Sequence, residues 1–457
     1  MSEFFLPRLL LPGYFALSGL AGLLGWPLYY RHLRSRGGGE SFPFRLGLKA
    51  PPPPPPGRPR LWLHGVSVGE IASAPPLVAE LQRRLPGASL TLSTGTETGQ
   101  AVARRLFGGA GVGICYFPLD LPWAVHRALE VLAPEVFIAL ESELWPGFLT
   151  LARSRGVRLA LLNARLSARS CRRYARLPRL AAAFLGLFEV IAAGSAADYE
   201  RLRRLGAPPG RLHLTGNLKV DRLLTAWRER QGPSPLPSPA AAPPWRPALG
   251  LKEAPVFLAA STHAGEEAVV LEAFLRLRAA FPEVLLILAP RHPERTPEVE
   301  ALVTARGLSC CRFSRLPAGE ARRGEPVILV DTVGDLFDLY GVADAAFVGG
   351  SLIPHGGQNF LEAAVWGLAP LTGPHLENFR WAEEMLREAG ALAVVHDAPS
   401  LAAALQTRLA NPSAARVLGE RARQCLLSHQ GAAARQADLV LALIARSGSV
   451  TPPPAPP

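Results

Sequence analysis

The sequence predicts two doubly wound, Rossmann-like α/β domains in tandem, preceded by an N-terminal membrane anchor. The chain has 457 residues, which is too long for one ordinary hydrophobic core. Short apolar runs alternate with helical patterns, as expected for parallel sheets with right-handed crossovers. A stretch rich in proline, serine and alanine, residues 231–247, divides this alternation into two series.

Residues 1–36 form the predicted anchor. Residues 9–30 carry no charge and are long enough to cross a bilayer as a helix. Arg31, Arg34 and Arg36 follow at once, so the positive-inside rule places the body of the protein in the cytoplasm. A cleaved signal peptide is disfavoured because the apolar run is too long for its core. A helix lying in the plane of the membrane surface is the alternative.

Two segments rich in proline are expected to lie outside the folded domains. Residues 37–59 include the glycine run 37–39 and the six prolines 51–56, and a polyproline segment is a stiff spacer. We expect this spacer to hold the catalytic body off the membrane. Residues 448–457 are a second proline-rich segment, which we predict to be a disordered tail.

The first domain is predicted over residues 60–230, with a linker at residues 231–250 and the second domain over residues 251–447. A helix is expected at residues 70–85. The predicted strands are 60–64, 89–93, 113–117, 136–140, 158–162, 190–193 and 212–215 in the first domain, and 256–260, 284–289, 327–330, 345–348 and 393–395 in the second. Tandem domains of this kind hold a ligand in the cleft between them, at the carboxyl ends of the strands.

The composition is globular and strongly basic. The net charge is +12, and nearly all of the positive charge is arginine. A compositional bias of the genome is one explanation, and a surface that meets phosphates of nucleic acid or anionic lipid is the other. Without zinc pairing, an RNA-binding aromatic pattern or a lysine-rich arm, nucleic acid is not expected as a partner. Five cysteines without CxxC spacing predict reduced thiols in a cytosolic compartment.

The segment 349–363 predicts a phosphate–ribose site in the second domain. An apolar strand ends in Gly349 and Gly350, a polar loop follows, and a helical pattern opens near Asn359. Glycines let the backbone approach a ligand, and a helix N-terminus offers free N–H groups to an anion. Glu362 lies in the first helical turn, where its carboxylate can accept hydrogen bonds from the two hydroxyls of a ribose.

Two acidic positions follow strands of the first domain. Glu70 comes at the carboxyl end of the first strand, where a carboxylate can take a proton from an attacking hydroxyl. The alternative is a first-turn glutamate that complements the helix dipole. Glu141 and Glu143 end the strand 136–140, and their alternative is a solvated turn. Since no His, Cys or Asp cluster has metal-ligand spacing, we expect no metal and no cofactor.

Nine collinear segments resemble the 3-deoxy-D-manno-oct-2-ulosonic acid (Kdo) transferases, which have the glycosyltransferase B fold. The segments are 62–70, 93–99, 117–120, 141–146, 163–167, 215–221, 260–263, 290–295 and 349–363. The resemblance implies an inverting transfer of Kdo from CMP-Kdo to the lipid A precursor (lipid IVA) in lipopolysaccharide biosynthesis. It also implies a bacterial inner-membrane enzyme whose catalytic domains face the cytoplasm and meet anionic lipid.

The resemblance also implies roles for individual residues. Glu70 would be the base, with Glu143 as a second catalytic carboxyl. The implied contacts of the donor CMP-Kdo are Ser261, Thr262, Arg291, His292, Gly349, Gly350, Ser351, Gly357, Asn359 and Glu362. The implied contacts of the acceptor or an anion are Glu141, Arg165 and Lys219. A surface position for Lys219 and a helix cap for His292 are the alternatives, and Arg169, Arg172 and Arg173 either meet lipid phosphates or form a solvated face.

The sequence departs from the family at three positions. Gly147 replaces an asparagine, Gln358 a histidine and Ala363 a proline. These changes leave the donor contacts and the acceptor preference open. Two other functions are alternatives: a nucleotide-sugar glycosyltransferase of the same fold with a different lipid acceptor, and a membrane-anchored binding module without catalysis.

Overall fold

The computed structural model describes residues 5–34, 39–231, 249, 251, 253–316 and 324–446. The chain divides into two compact units. The first contains residues 1–222 together with the chain from residue 430 onwards, and the second contains residues 223–429. Most of the predicted linker and the whole predicted tail lie outside the described residues.

The first unit is built around a seven-stranded parallel sheet in the order β3-β2-β1-β4-β5-β6-β7. Its elements are α1 (Phe5–Arg34), α2 (Phe42–Arg45), β1 (Arg60–Gly65), α3 (Val68–Ser73), α4 (Pro75–Arg84), β2 (Ser89–Thr94), α5 (Glu97–Phe107), β3 (Val112–Tyr116), α6 (Pro122–Leu132), β4 (Val136–Leu140), α7 (Pro146–Ser154), β5 (Arg158–Ala164), α8 (Ala168–Tyr174), α9 (Pro178–Leu185), β6 (Val190–Ala193), α10 (Ala196–Arg204), β7 (Leu212–Leu214) and α11 (Leu218–Gln231). The division between the units falls within α11.

The second unit contains another seven-stranded parallel sheet, in the order β10-β11-β9-β8-β12-β13-β14. Its elements are β8 (Val256–Thr262), α12 (Glu266–Ala280), β9 (Leu285–Pro290), α13 (Thr296–Thr304), β10 (Cys310–Arg312), β11 (Val327–Leu329), α14 (Leu336–Leu339), β12 (Ala345–Val348), α15 (Leu361–Val365), β13 (Leu371–Thr372), α16 (Arg380–Glu388), β14 (Ala393–Val394), α17 (Ala398–Ala410) and α18 (Pro412–Ser428).

Every strand predicted from the sequence is present, because strands covered on both faces are continuous apolar runs. The structure adds β10 and β13, which are too short to leave a clear pattern. The predicted helix 70–85 is two helices, α3 and α4. The break lies at Ala74, because Pro75 and Pro76 lack the N–H groups that would continue α3.

The C-terminal helix α19 (Ala432–Ala445) belongs to the first unit, so the predicted boundary at residue 447 is wrong. Asp221 accepts hydrogen bonds from the backbone N–H groups of Gly431 at 2.7 Å and Ala433 at 2.6 Å. The Gln436 amide donates to the Thr215 hydroxyl at 3.1 Å. Buried apolar side chains of α19 complete the core on one face of the first sheet.

The segment expected to be a spacer packs against the first unit instead. Phe42 and Leu46 are buried, and the Trp123 indole N–H donates to the carbonyl of Leu46 at 2.8 Å. Further along, the carbonyl of Pro55 accepts a hydrogen bond from the Ser89 hydroxyl at 2.5 Å. Burial of these apolar side chains and the hydrogen bonds to backbone carbonyls hold residues 39–59 on the domain.

Helix α1 is long and apolar enough to cross a membrane over Leu9–Leu28, judged by length and composition. One face of it nevertheless lies on the first unit, in contact with α7 and α9. The Tyr14 hydroxyl donates to the buried Asp120 carboxylate at 2.8 Å. The opposite face exposes leucines such as Leu17, at 72%, and Leu24, at 73%. Helix α1 thus packs on its own domain with one face and exposes apolar side chains elsewhere on its surface.

Candidate active site

Three carboxylates lie together at the carboxyl edge of the first sheet. Glu70 follows β1 at the start of α3, and Glu141 and Glu143 follow β4. β1 and β4 are neighbouring parallel strands, so their carboxyl ends meet at one edge. Each of Glu70 and Glu143 has its pKa raised in part by a neighbouring carboxylate. The structure therefore brings the two predicted acidic positions into one electrostatic cluster, which we call the acidic cluster.

Glu70 is held by its own helix start. Its backbone N–H donates to the Ser67 hydroxyl at 3.3 Å, and that hydroxyl donates to Oε1 of Glu70 at 2.9 Å. The Val66 backbone N–H donates to Oε2 at 2.6 Å. This capping arrangement fixes the carboxylate in one orientation. Burial and then the charge of Glu141 raise the pKa of Glu70, and the hydrogen bonds only partly offset them.

Glu143 has a carboxyl whose pKa is raised well above its usual range. Burial, followed by the charge of Glu70, raises its pKa to about 7. The Trp145 indole N–H donates to its Oε2 at 2.8 Å, and Nε2 of His64 lies 3.8 Å from the same oxygen. A carboxyl with this pKa exchanges a proton near neutral pH, as acid–base catalysis requires.

His64 is a functional candidate that the sequence interpretation missed. Its ring is fully buried, stacks on Phe117 with centroids 3.7 Å apart, and places Nδ1 3.0 Å from the Ser93 hydroxyl. Burial lowers the pKa of His64 to about 3, so the ring is neutral beside Glu143. Nε2 has no hydrogen-bond partner among the described residues. A polar side chain within the apolar strand β1, one residue before its end, was the available signal.

Glu141 pairs with two cations of the first unit. Nζ of Lys219 lies 2.9 Å from its Oε1, and the Arg165 guanidinium lies 4.0 Å from its Oε2. Glu141 has a left-handed backbone with φ of 60°, which a non-glycine residue adopts at a cost of about 1 kcal/mol or more. The predicted acceptor contacts Glu141, Arg165 and Lys219 are therefore neighbours, and Lys219 is engaged with the acidic cluster.

In the second unit, a buried glutamate occupies the amides predicted to face a phosphate. Glu266 accepts hydrogen bonds from the backbone N–H groups of Gly350 at 2.6 Å and of Ser351 and Leu352 at 2.9 Å. The His263 N–H donates to the same carboxylate at 2.9 Å. The amides after β12 that were expected to face the donor phosphate thus have an internal hydrogen-bond partner in Glu266.

Several other predicted donor contacts also have internal partners. A Cβ on Gly349 would lie 2.7 Å from the Ser261 carbonyl oxygen, so this glycine serves close packing between β8 and β12. The buried Ser351 hydroxyl donates to the Val348 carbonyl at 2.5 Å.

Two more of these predicted contacts are engaged within the fold. The buried Thr262 hydroxyl donates to Glu267 at 3.2 Å. The Gly357 N–H donates to the Gly350 carbonyl at 2.7 Å. Thr262 and Gly357 therefore shape the loop, with their hydrogen-bonding groups directed to the protein.

Cationic and imidazole groups lie at the same edge of the second sheet. The His263 ring centroid is 4.2 Å from that of His355 and 5.8 Å from that of His292. Burial, followed by the charge of His355, lowers the pKa of His263, with a smaller contribution from Arg291. Ser261, with a left-handed φ of 52°, precedes this group. We call His263, Arg291, His292 and His355 the cationic cluster, and its chemistry suits an anion.

Two residues of the loop before α15 have defined partners. The Asn359 amide donates to Oε1 of Glu362 at 3.0 Å and fixes that carboxylate. Nε2 of Gln358 lies 3.1 Å from Nε2 of His263, so the residue that departs from the family takes part in the cationic cluster. Glu362 in turn contributes, after burial, to raising the pKa of Tyr340.

This chain is similar in sequence to known proteins. A sequence model of the family described as 3-deoxy-D-manno-octulosonic-acid transferase (kdotransferase) matches residues 40–222. The 3-deoxy-D-manno-octulosonic acid transferase of Bordetella pertussis is 38% identical over 436 residues, which cover 93% of this chain and 96% of the relative. That of Haemophilus influenzae is 34% identical over 402 residues, which cover 85% and 88%. The chain belongs to the 3-deoxy-D-manno-octulosonic acid (Kdo) transferase family.

The resemblance inferred from the nine segments is confirmed, and so is the prediction of a glycosyltransferase. Among solved structures, UDP-GlcNAc 2-epimerase from Neisseria meningitidis, bound to UDP-GlcNAc, matches with a TM-score of 0.59. It is 13% identical, and the match covers 84% of this chain and 99% of the epimerase. At that identity the likeness concerns the fold, and it confirms the predicted glycosyltransferase B architecture.

No group of three or more His, Cys, Asp or Glu side chains able to hold a metal ion occurs in the described part of this Kdo transferase. The chemistry that its residues offer is acid–base chemistry at the acidic cluster and anion binding at the cationic cluster.

Proposed function

We propose that this Kdo transferase family member moves Kdo from CMP-Kdo to the lipid A precursor, lipid IVA, with inversion and without a metal. The observation that carries this proposal is the acidic cluster: an oriented, buried Glu70 whose pKa is raised by burial and by Glu141. Family membership supports the donor sugar.

In the proposed reaction, a hydroxyl oxygen of the lipid glucosamine forms a bond with the anomeric carbon of Kdo. The bond from that carbon to the phosphate oxygen of CMP breaks, and its electron pair leaves with CMP. The proton of the attacking hydroxyl goes to the Glu70 carboxylate. A single displacement of this kind inverts the configuration at the anomeric carbon.

Glu70 is a better base than Glu143 for this step, because Glu143 carries a proton part of the time and the carboxylate of Glu70 is held in one direction. With its pKa of about 7, Glu143 is partly protonated at neutral pH. Glu70 accepts two hydrogen bonds that favour its charged form and fix its direction. We assign Glu143 as the second catalytic carboxyl. The charge of Glu70 helps to raise the pKa of Glu143, so Glu143 can take up a proton near neutral pH.

We assign donor recognition to the cationic cluster and to the loop before α15. Within the described residues, the Arg291 side chain forms no ion pair, so its guanidinium can bind the CMP phosphate. His292 and Ser261 lie beside it and provide further hydrogen bonds. Glu362, held by Asn359, is the proposed acceptor for the ribose hydroxyls. This assignment replaces the loop amides that Glu266 occupies.

The proposed location is the cytoplasmic face of the bacterial inner membrane. Helix α1 exposes a row of leucines, and the chain carries a net charge of +12. Apolar burial of α1 and attraction of the arginines to anionic lipid would hold the enzyme at the surface where its lipid acceptor lies.

Purified full-length protein, incubated with CMP-Kdo and lipid IVA, tests the proposal. We expect the lipid to gain the mass of Kdo, with CMP released in step. UDP-sugars in place of CMP-Kdo should give no transfer. A lipid mass that stays unchanged with CMP-Kdo but increases with another nucleotide sugar would contradict the proposal and favour the alternative donor.

A further inference from the structure

An apolar cavity of about 320 Å³ lies between helices α8, α9 and α10 of the first unit. Of its twelve lining residues, only Arg173 is charged, and the walls include Leu180 and Phe184 of α9 and Leu202 of α10. This volume is at the lower end of the range of roughly 300–1,000 Å³ for small-ligand pockets. We call this cavity the apolar slot.

The apolar slot adjoins the acidic cluster. Its wall includes Leu144, the residue after Glu143, and Leu166, the residue after Arg165. The Arg165 guanidinium lies 4.0 Å from Glu141. Residues of the slot wall and residues at the acidic cluster are therefore direct neighbours along the chain.

A group of arginines borders the slot. Arg169, Arg172, Arg173 and Arg176 line a neighbouring concave surface with Ser170, and Arg173 belongs to both surfaces. Within the part of the chain that the structure describes, none of these four arginines forms an ion pair. Four close positive charges without a carboxylate favour a multiply charged anion, and guanidinium groups match phosphate in geometry. We call these four residues the arginine rim.

The slot also lies beside the apolar N-terminal helix. Helix α9, which forms one wall of the slot, contacts α1. Leu177, at the start of α9, lines the slot and is 62% exposed. An apolar cavity, a phosphate-binding rim and a helix with an exposed apolar face thus occur on connected elements of one unit.

We infer that the apolar slot holds one acyl chain of the acceptor lipid while the arginine rim binds a phosphate of the same lipid. The inference rests on the proposed function, because it treats the acceptor as an acylated, phosphorylated lipid. The occupant is chosen by charge complementarity, since an apolar chain that carries a phosphate satisfies both surfaces at once. On this inference, the enzyme recognises its acceptor through an acyl chain and a phosphate.

Photocrosslinking of full-length protein with a dodecyl phosphate that carries a diazirine tests lipid binding without any transfer reaction. We expect the label on Leu180 and Phe184, and its loss in Ala181→Trp, which fills the slot. Leu180→Gln, which adds polarity without adding volume, is the second variant. The double variant Arg172→Ala/Arg176→Ala should reduce labelling by dodecyl phosphate but leave labelling by a neutral dodecanol diazirine unchanged.

Arg179→Ala is the control for charge, because Arg179 is an exposed arginine of α9 outside the slot and the rim. If Arg179→Ala lost as much labelling as Arg172→Ala/Arg176→Ala, the attraction would be an unspecific effect of surface charge. That result would contradict the assignment of the arginine rim as a phosphate site. Labels placed elsewhere, with no change in Ala181→Trp and Leu180→Gln, would overturn the slot. Conversion of a dimer to a monomer in Ala181→Trp with unchanged labelling would identify the slot as a self-association surface and overturn the lipid assignment.

Kinetics separate this inference from the proposed function. For tetraacylated acceptor, we expect Ala181→Trp to raise KM by roughly tenfold or more, the scale of two buried methylene groups. KM for CMP-Kdo should not change, and a deacylated acceptor should be used equally well by variant and wild type. Labelling of α9 in a protein that transfers no Kdo would contradict the proposed function and still support a lipid slot. Kdo transfer with the same KM in the variant would contradict the slot alone.

Discussion

The Lys219 ammonium lies 2.9 Å from Oε1 of Glu141, and the contact joins the start of α11 to the end of β4. Glu141 is the charged neighbour that raises the pKa of Glu70. Lys219 offsets part of that negative charge, so the ion pair limits how far the pKa of the proposed base rises.

Replacing Lys219 by Gln should move the acidic limb of the kcat/KM profile to higher pH, by about one unit. Without the ammonium, Glu141 raises the pKa of Glu70 further, and a base is lost below its pKa. Glu141→Gln removes the negative charge that raises the pKa of Glu70, so it should move the acidic limb to lower pH. The pH dependence of kcat/KM for the two variants is the measurement, and shifts in the same direction would refute the coupling.

Glu143 should reduce the stability of the fold at neutral and alkaline pH. Its folded-state pKa of about 7 lies above its unfolded value, so the folded state holds the proton more tightly. The stabilisation is complete below the unfolded pKa and is lost as pH rises through about 7. The Glu143→Gln variant has no carboxyl at this position, so it does not lose this stabilisation as pH rises.

Glu143→Gln should therefore exceed wild type in free energy of unfolding at pH 8, by up to about 3 kcal/mol, with a smaller difference at pH 5. Urea unfolding midpoints at both pH values measure this. Glu130→Gln, which removes an exposed carboxylate of α6, is the control and should show no such trend. A pH-independent difference for Glu143→Gln would refute the raised pKa.

Binding of CMP should be accompanied by proton uptake at His263. Burial and neighbouring cations lower the pKa of His263, and a bound phosphate would raise it again. Calorimetry near pH 6.5 in two buffers of different ionisation heat gives the number of protons taken up. We expect His263→Gln to take up fewer protons than wild type, whereas exposed His396→Gln should match wild type. Equal uptake in all three proteins would remove His263 from the donor site.

Gly147 should be required for the docking of α1. A Cβ at this position would lie 2.5 Å from the Phe15 ring and 2.7 Å from Oδ1 of Asp120. Gly147→Asn should therefore displace α1, lower the melting temperature and speed proteolysis near Tyr14. Gly210→Asn, at a glycine with open space around it, is the matched control. Equal protease sensitivity in both variants would show that α1 docks without the Gly147 contact.

The alternation of strands and helices was predictable because each buried strand is a continuous apolar run. The acidic cluster was predictable as well, since Glu70 and Glu143 follow strands whose carboxyl ends share an edge. The return of α19 to the first unit was not predictable, because Asp221 and Gly431 meet across 210 positions and neither carries a local signal of the pairing.

The proposed donor site shows more clearly what could not be predicted from the sequence. The glycine pattern suggested free amides, but Glu266 reaches them from 84 positions earlier in the chain. A signal existed in hindsight: Gly265-Glu266 after β8 repeats Gly69-Glu70 after β1. Both glutamates accept backbone N–H groups near a helix start, and only the three-dimensional contacts separate the structural carboxylate from the proposed catalytic one.

The turnover of Glu70→Gln with CMP-Kdo and lipid IVA tests the central claim most directly. The substitution keeps the size of the side chain and removes the base, with Glu130→Gln as control. We expect kcat to fall by roughly a hundredfold or more, the usual scale for a general base, while the affinity for CMP stays the same. A Glu70→Gln enzyme that keeps most of its kcat would contradict the assignment of Glu70 as the base.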